Sequence, residues 1–251
     1  MSSEGPAARR PPRCYDSRMK AKIQVSETLN AADGLRNMIL SELYRSPARI
    51  LQKSPVTPRG ERIILIGSYL DTVIEHHESI MLLVRNEKYG SAFALLRPVY
   101  ESLLRACWVN ACANESQLRK LRSTDNHKDI FPLHKDLLRK LTESYGESFQ
   151  DLGSTWDALC SYAHSGLRQL ARRGFRGAKQ HGYTPRSIIE VIDFASSCLA
   201  SLARLYFAIT GYGVQVLTLS AMEDVYYELG KGEARSSSAR NIPSRSRSEA
   251  V

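Results

Sequence analysis

The chain has 251 residues, 43% of them hydrophobic and 24% charged, with a formal net charge of +9. That length allows one large domain, or two small ones, with a proper core, and the apolar content excludes a wholly disordered chain. The charge does not imply a basic surface on the fold, because residues 1–22 carry a net +4 and residues 229–251 a net +3, leaving only +2 for residues 23–228.

Residues 1–21 are rich in Ser, Arg and Pro and are expected to form a disordered tail. Arg9, Arg10 and Arg13 precede no apolar stretch, so no secretory signal is expected, and Pro6, Pro11 and Pro12 suit an amphipathic presequence badly. A translation start at Met19 is the simpler alternative. From there to residue 229 the hydrophobic pattern has the period of a helix and never that of a strand, which predicts a single all-α domain over residues 22–229. A first helix is expected from about Ser26 to Tyr44, followed by a linker punctuated by Pro47, Pro55 and Pro58.

The second helix, about Arg59 to Arg85, carries Ile63, Ile66, Leu70, Val73, His77, Ile80 and Val84 at steps of three and four, a packing seam with one histidine in it. The third runs to about Ala113 and is apolar nearly all round, which belongs at the centre of a domain. Residues 114–131 are polar, with one short helix in SQLRKLR, and a fourth long helix spans about Leu133 to Tyr145. A fifth is expected as one piece from Ser154 to Arg172, ending in the Gly/Arg-rich loop RRGFRGAKQHG. The sixth opens with Thr184 as N-cap and Pro185 at the first helical position, and Gly211 and Gly213 stop it. A last helix is expected over Val214 to Leu229, then a disordered Ser/Arg-rich tail over residues 230–251. Short connections between long helices favour antiparallel neighbours, so the fold class is an antiparallel bundle of about six to seven helices.

Cys14, Cys107, Cys112, Cys160 and Cys198 form no CxxC pair, and four of them sit in helical apolar patterns, as expected of a reducing cytoplasm. No run of about 18 uncharged apolar residues occurs, so no membrane span is expected. The tetrad Glu75–His76–His77–Glu78 does not read as a metal site, because adjacent residues diverge by about 100° on a helix. No Glu-x-x-His pair supports it either. No metal and no cofactor are expected.

The polar constellation lies on the third helix. Arg97, Glu101 and Arg105 recur at i, i+4 and i+8 on a segment with little solvent face, and unpaired burial of such charges would cost several kcal/mol each. They must pair or open onto a cleft, and Pro98 should kink the helix beside them. The fifth helix offers a matching stripe of Asp157, Ser161, His164, Arg168 and Arg172, with Tyr162 and Gly166 one turn apart and Gly166 permitting close helix approach. The plainer readings are a solvated face for that stripe, a satisfied core histidine for His77, and a register-fixing ion-pair network for Arg97–Glu101–Arg105. Three helices placing polar groups on apolar surface favour a shared internal cleft of Arg97, Glu101 and His164, with His77 as a further member.

The run EHHESIMLLVRNEKYGSAFALLRPVYESLLRACWV, followed by CSYAHSGLRQLARR, resembles a family of uncharacterised bacterial helical proteins marked by an R-P-x-x-E helix and a Y-x-H-x-G helix. Arg97, Pro98, Glu101, Tyr162, His164 and Gly166 match those marks, and the resemblance covers roughly residues 25–225. More distantly, the arrangement is similar to the HEPN superfamily, helical bundles that include metal-independent ribonucleases of toxin–antitoxin and phage-defence systems. Those enzymes carry an Arg-x(4–6)-His motif, which Arg176 with His181 and Arg122 with His127 fit in spacing.

Two functions are therefore expected. One is RNA handling in a defence or toxin-type system, with His164 as general base, Arg97 and Arg168 on the phosphate, Glu101 orienting an arginine, and Tyr162, His77, Arg105, Arg176 and His181 as binding residues. The other is a non-catalytic module for dimerisation or partner binding, in which the same side chains form a structural network. The partners implied are RNA and a second copy of the chain.

Overall fold

The computed structural model describes residues 13–45, 57–123, 130–145, 152–172 and 182–211. They form eight helices and no strand: α1 (Arg13–Arg45), α2 (Pro58–Arg85), α3 (Tyr89–Ala111), α4 (Glu115–Ser123), α5 (His134–Tyr145), α6 (Leu152–Ala163), α7 (Leu167–Ala171) and α8 (Pro185–Thr210). The chain is an all-α bundle. The expected helix over 214–229 and the tail over 230–251 lie outside the described residues, as do residues 1–12. The first helix begins at Arg13 rather than near Ser26, so it enters the stretch assigned to the N-terminal tail.

α2 and α3 form the central antiparallel pair, joined by the tight turn Asn86–Lys88 in which Glu87 takes a positive φ of 57°. α8 lies against α1, α2 and α3, while α5 and α6 cover a further side of α3. Each of the seven seam residues of α2 is buried, with Ile66, Val73, His77 and Ile80 wholly inaccessible. The start signal of α8 acts as expected, and α2 opens with a cap of the same kind within the stretch expected as linker. Thr57 Oγ1 accepts from Gly60 N–H at 3.1 Å ahead of Pro58, and Thr184 Oγ1 accepts from Ser187 N–H at 3.2 Å ahead of Pro185. Gly211 closes α8 in the left-handed region at φ 87°, where only glycine sits without strain.

Side chains from one helix satisfy the ends of another. The Arg62 guanidinium of α2 donates to the carbonyls of Val109, Asn110 and Ala113 at the end of α3, the last at 2.6 Å, putting a cation where the helix dipole is negative. Next to it Glu61, buried at 5% exposure, pairs with Arg122 of α4 at 3.4 Å. Arg122 thus tethers α4 to α2, and its sequence partner His127 lies outside the described residues.

His77 is a core residue. Its Nε2 lies 3.1 Å from Ser196 Oγ of α8, and no hydrogen bond or ion pair among the described residues joins it to Arg97, Glu101 or His164. It is therefore not a member of the expected cleft. Burial lowers its pKa from 6.5 to about 4, the Arg36 guanidinium pushes the same way, and Asp33 opposes both. The unfolded chain takes up this proton near pH 6.5 and the native chain only near pH 4, so stability is fully present above the upper value and falls on acidification through that window. The loss should approach about 3 kcal/mol at its acid end. Melting curves from about pH 7 to about pH 4 should show His77→Leu markedly less acid-sensitive than wild type; equal slopes would contradict this account.

Candidate functional site

Arg97, Glu101 and Arg105 form a ladder along α3 with side-chain exposures of 22%, 27% and 37%. They lie at a partly open seam of α3, not in a sealed interior. Glu101 accepts an ion pair from Arg105, and Arg97 Nε stands 4.0 Å from its other oxygen, too far for a hydrogen bond. α3 runs unbroken through Pro98. Aromatic rings underlie both guanidiniums, with Arg97 5.0 Å from the Trp156 ring centre and Arg105 4.7 Å from that of Phe131. Tyr69 of α2 lies in the same field: burial pushes its hydroxyl up to about 12, with Arg105 opposing and Glu101 adding to the rise.

His164 completes the ladder. The Arg97 guanidinium hydrogen-bonds His164 Nε2. Arginine can only donate, so in this arrangement Nε2 is the acceptor and the ring proton sits on Nδ1. The contact depends on a feature absent from the expected fifth helix. That helix is two pieces, α6 and α7, broken at His164–Gly166. Ser165 takes a left-handed φ of 53°, and Gly166 N–H donates to Ser161 O at 2.7 Å, the six-to-one bond of a Schellman cap. His164 therefore projects from the exposed end of α6.

The break also disperses the expected stripe. Arg168 lies exposed on α7, its backbone N–H donating to Ser161 Oγ at 3.2 Å, and no side-chain partner is found among the described residues. Arg172 turns into a different cluster. Its Nε donates to the Tyr162 hydroxyl at 3.0 Å, and its guanidinium lies 4.9 Å from the Phe93 ring centre and 5.3 Å from that of Tyr183. Its NH1 donates to Gly182 O at 2.8 Å, closing the chain on either side of residues 173–181. Tyr162 thus serves this aromatic cage and makes no described contact with Arg97. Arg176 and His181 lie outside the described residues.

Two site residues escaped the sequence argument. Trp156 sits one turn into α6, beneath Arg97. His134, the first residue of α5, stacks on Trp156 with ring centres 3.9 Å apart and planes at 12°. Burial lowers the His134 pKa, Asp157 and Glu101 resist, and Arg97 adds to the lowering, which favours the neutral imidazole. The signal for either was only an aromatic residue and a histidine near predicted helix starts. Among the described residues no group of His, Cys, Asp and Glu has the makings of a metal site.

Fold and site define an all-helical domain with a partly open Arg–Glu–His cluster over an aromatic floor. Residues 70–228 match DUF6988, a family of unknown function, and the chain belongs to that family. The match spans every residue of the cluster. No curated protein and no solved structure matches the chain. No described helix is long and apolar enough to cross a membrane.

The break yields a direct test. A Cβ on Gly166 would meet Ser161 Oγ at 2.7 Å and Ser161 Cα and O at 3.0 Å each. The tightness of the cap, rather than close approach of a second helix, is what requires glycine here. Gly166→Ala should cost about 1–3 kcal/mol, read from denaturant unfolding. A variant as stable as wild type would show that the cap is looser than described.

Proposed function

We propose that the Arg97–Glu101–His164 cluster handles the phosphodiester backbone of RNA without a metal ion, as a HEPN-like protein of a bacterial defence or toxin-type system would. The direct contact of Arg97 with His164 is the observation that carries this reading: it sets a base and an anion-binding guanidinium side by side at a partly open surface. An RNA phosphate competing for Arg97 frees the Nε2 lone pair of His164. That lone pair takes the proton of a ribose 2′-hydroxyl, the 2′-oxygen attacks phosphorus, and the 5′-oxygen departs with a proton from water, leaving a 2′,3′-cyclic phosphate. Arg97 and the exposed Arg168 meet the charge that builds on the phosphoryl oxygens, while Glu101 holds Arg97 and Arg105 in register. The free, reduced Cys107, Cys112, Cys160 and Cys198 suit a cytoplasmic setting.

A second reading is favoured by the double engagement of Glu101. With Arg97 and Arg105 both on one carboxylate, the network fixes the face of α3 whether or not anything reacts there, as a dimerisation or partner-binding module requires.

The two readings part on a single assay. Purified protein in the presence of a chelator should cut single-stranded RNA to cyclic-phosphate ends, and His164→Ala should slow this at least about 100-fold. Because Glu101 and the Trp156 ring still engage Arg97, the same variant should lose little melting temperature. Absence of cleavage by wild type, or full activity in the variant, would favour the structural reading.

A further inference from the structure

Nine buried side-chain nitrogen or oxygen atoms among the described residues have no hydrogen-bond partner, and they are not scattered. Four of them, Arg97 Nε, Tyr100 OH and both ring nitrogens of His134, belong to side chains that pack on Trp156. Native interiors rarely leave such groups unpaired, and their convergence on one aromatic ring points to a place where a polar, flat partner belongs.

We propose that the face of Trp156 covered by His134 is a nucleobase-stacking subsite, and that the His134 ring is a displaceable placeholder on it. The inference rests on the reading of Arg97 as a phosphate-binding residue and supplies the base that accompanies that phosphate. The imidazole lies on the indole as a base would, nearly parallel to it with ring centres 3.9 Å apart. Both its nitrogens are buried without partners, so the ring gains stacking there but no hydrogen bond. Released to water, each nitrogen finds a partner, and the exchange costs the protein little. His134 is also the first residue of α5, where the ring can swing out without disturbing the turns behind it.

The incoming base gains what the imidazole lacks. Tyr100 OH offers a donor and an acceptor beside Trp156, and Arg97 Nε–H offers a donor. The Arg97 guanidinium is 5.0 Å from the indole centre, close enough for a base on the ring and its own phosphate on the arginine. A mononucleotide is therefore the smallest molecule that fills both places.

Titration calorimetry with adenosine monophosphate and with inorganic phosphate tests this. His134→Ala should bind the nucleotide roughly tenfold more tightly than wild type, because nothing need be displaced. His134→Phe, which covers the indole without unpaired nitrogens, should bind it more weakly than wild type. Trp156→Ala should reduce nucleotide affinity to that of phosphate, and phosphate should bind wild type and both His134 variants alike. Nucleotide binding that is unchanged or weakened in His134→Ala would overturn the proposal. So would a wild type and His134→Ala that bind phosphate through Arg97 yet gain nothing from the base, and in that case the reading of Arg97 stands. Failure of wild type and variants to bind either ligand would remove both.

Discussion

Arg97 stands on α3 between Leu96, Val99 and Tyr100, all buried, and keeps 22% of its own side chain exposed. A guanidinium in that position cannot be left bare, and cannot discharge either, so the surrounding chain has to answer it. It does so with groups from two helices: Glu101 one turn along α3, the Trp156 ring beneath, and His164 at the end of α6. The break between α6 and α7 is what brings His164 to Arg97. A helix continued straight through residues 164–166 would not present His164 from a capped end, and the Ser165–Gly166 turn supplies that end.

Much of this was legible in the residues. The α2 seam from Ile63 to Val84 follows the three–four spacing and is buried throughout, because the helix period leaves an apolar stripe only one way to face. Thr184–Pro185 marked the start of α8 because a capping oxygen and a preset φ are local chemistry needing no tertiary information. The requirement that Arg97 and Glu101 find partners was likewise readable from burial cost alone. The identity of the partners was less so. Ser165 in the left-handed region looks in sequence like any serine within a helix, so nothing in the residues marks a break in the stripe from Asp157 to Arg172. His77, His134 and His164 all sit within helical patterns; only packing distinguishes the one bonded to Ser196 from the one on Trp156 and the one on Arg97.

Arginine holds the bundle together as well as furnishing its site. Arg62 closes the end of α3, and Arg172 lies among Phe93, Tyr162 and Tyr183 while reaching Gly182 and Ser187. In each case a planar cation with several donors spans a helix end or an aromatic cluster, which the point charge of a lysine could not do. Arg168 differs. It is exposed, and among the described residues nothing engages its side chain.

The account turns on the Arg97–His164 contact, and the tautomer of His164 measures it directly. Nitrogen-15 NMR of the neutral imidazole should show the proton on Nδ1 and Nε2 unprotonated, because Arg97 donates to Nε2. Arg97→Met should release that preference. A wild-type ring with its proton on Nε2, unaffected by Arg97→Met, would show that the two side chains do not meet, and the site built on them would be wrong.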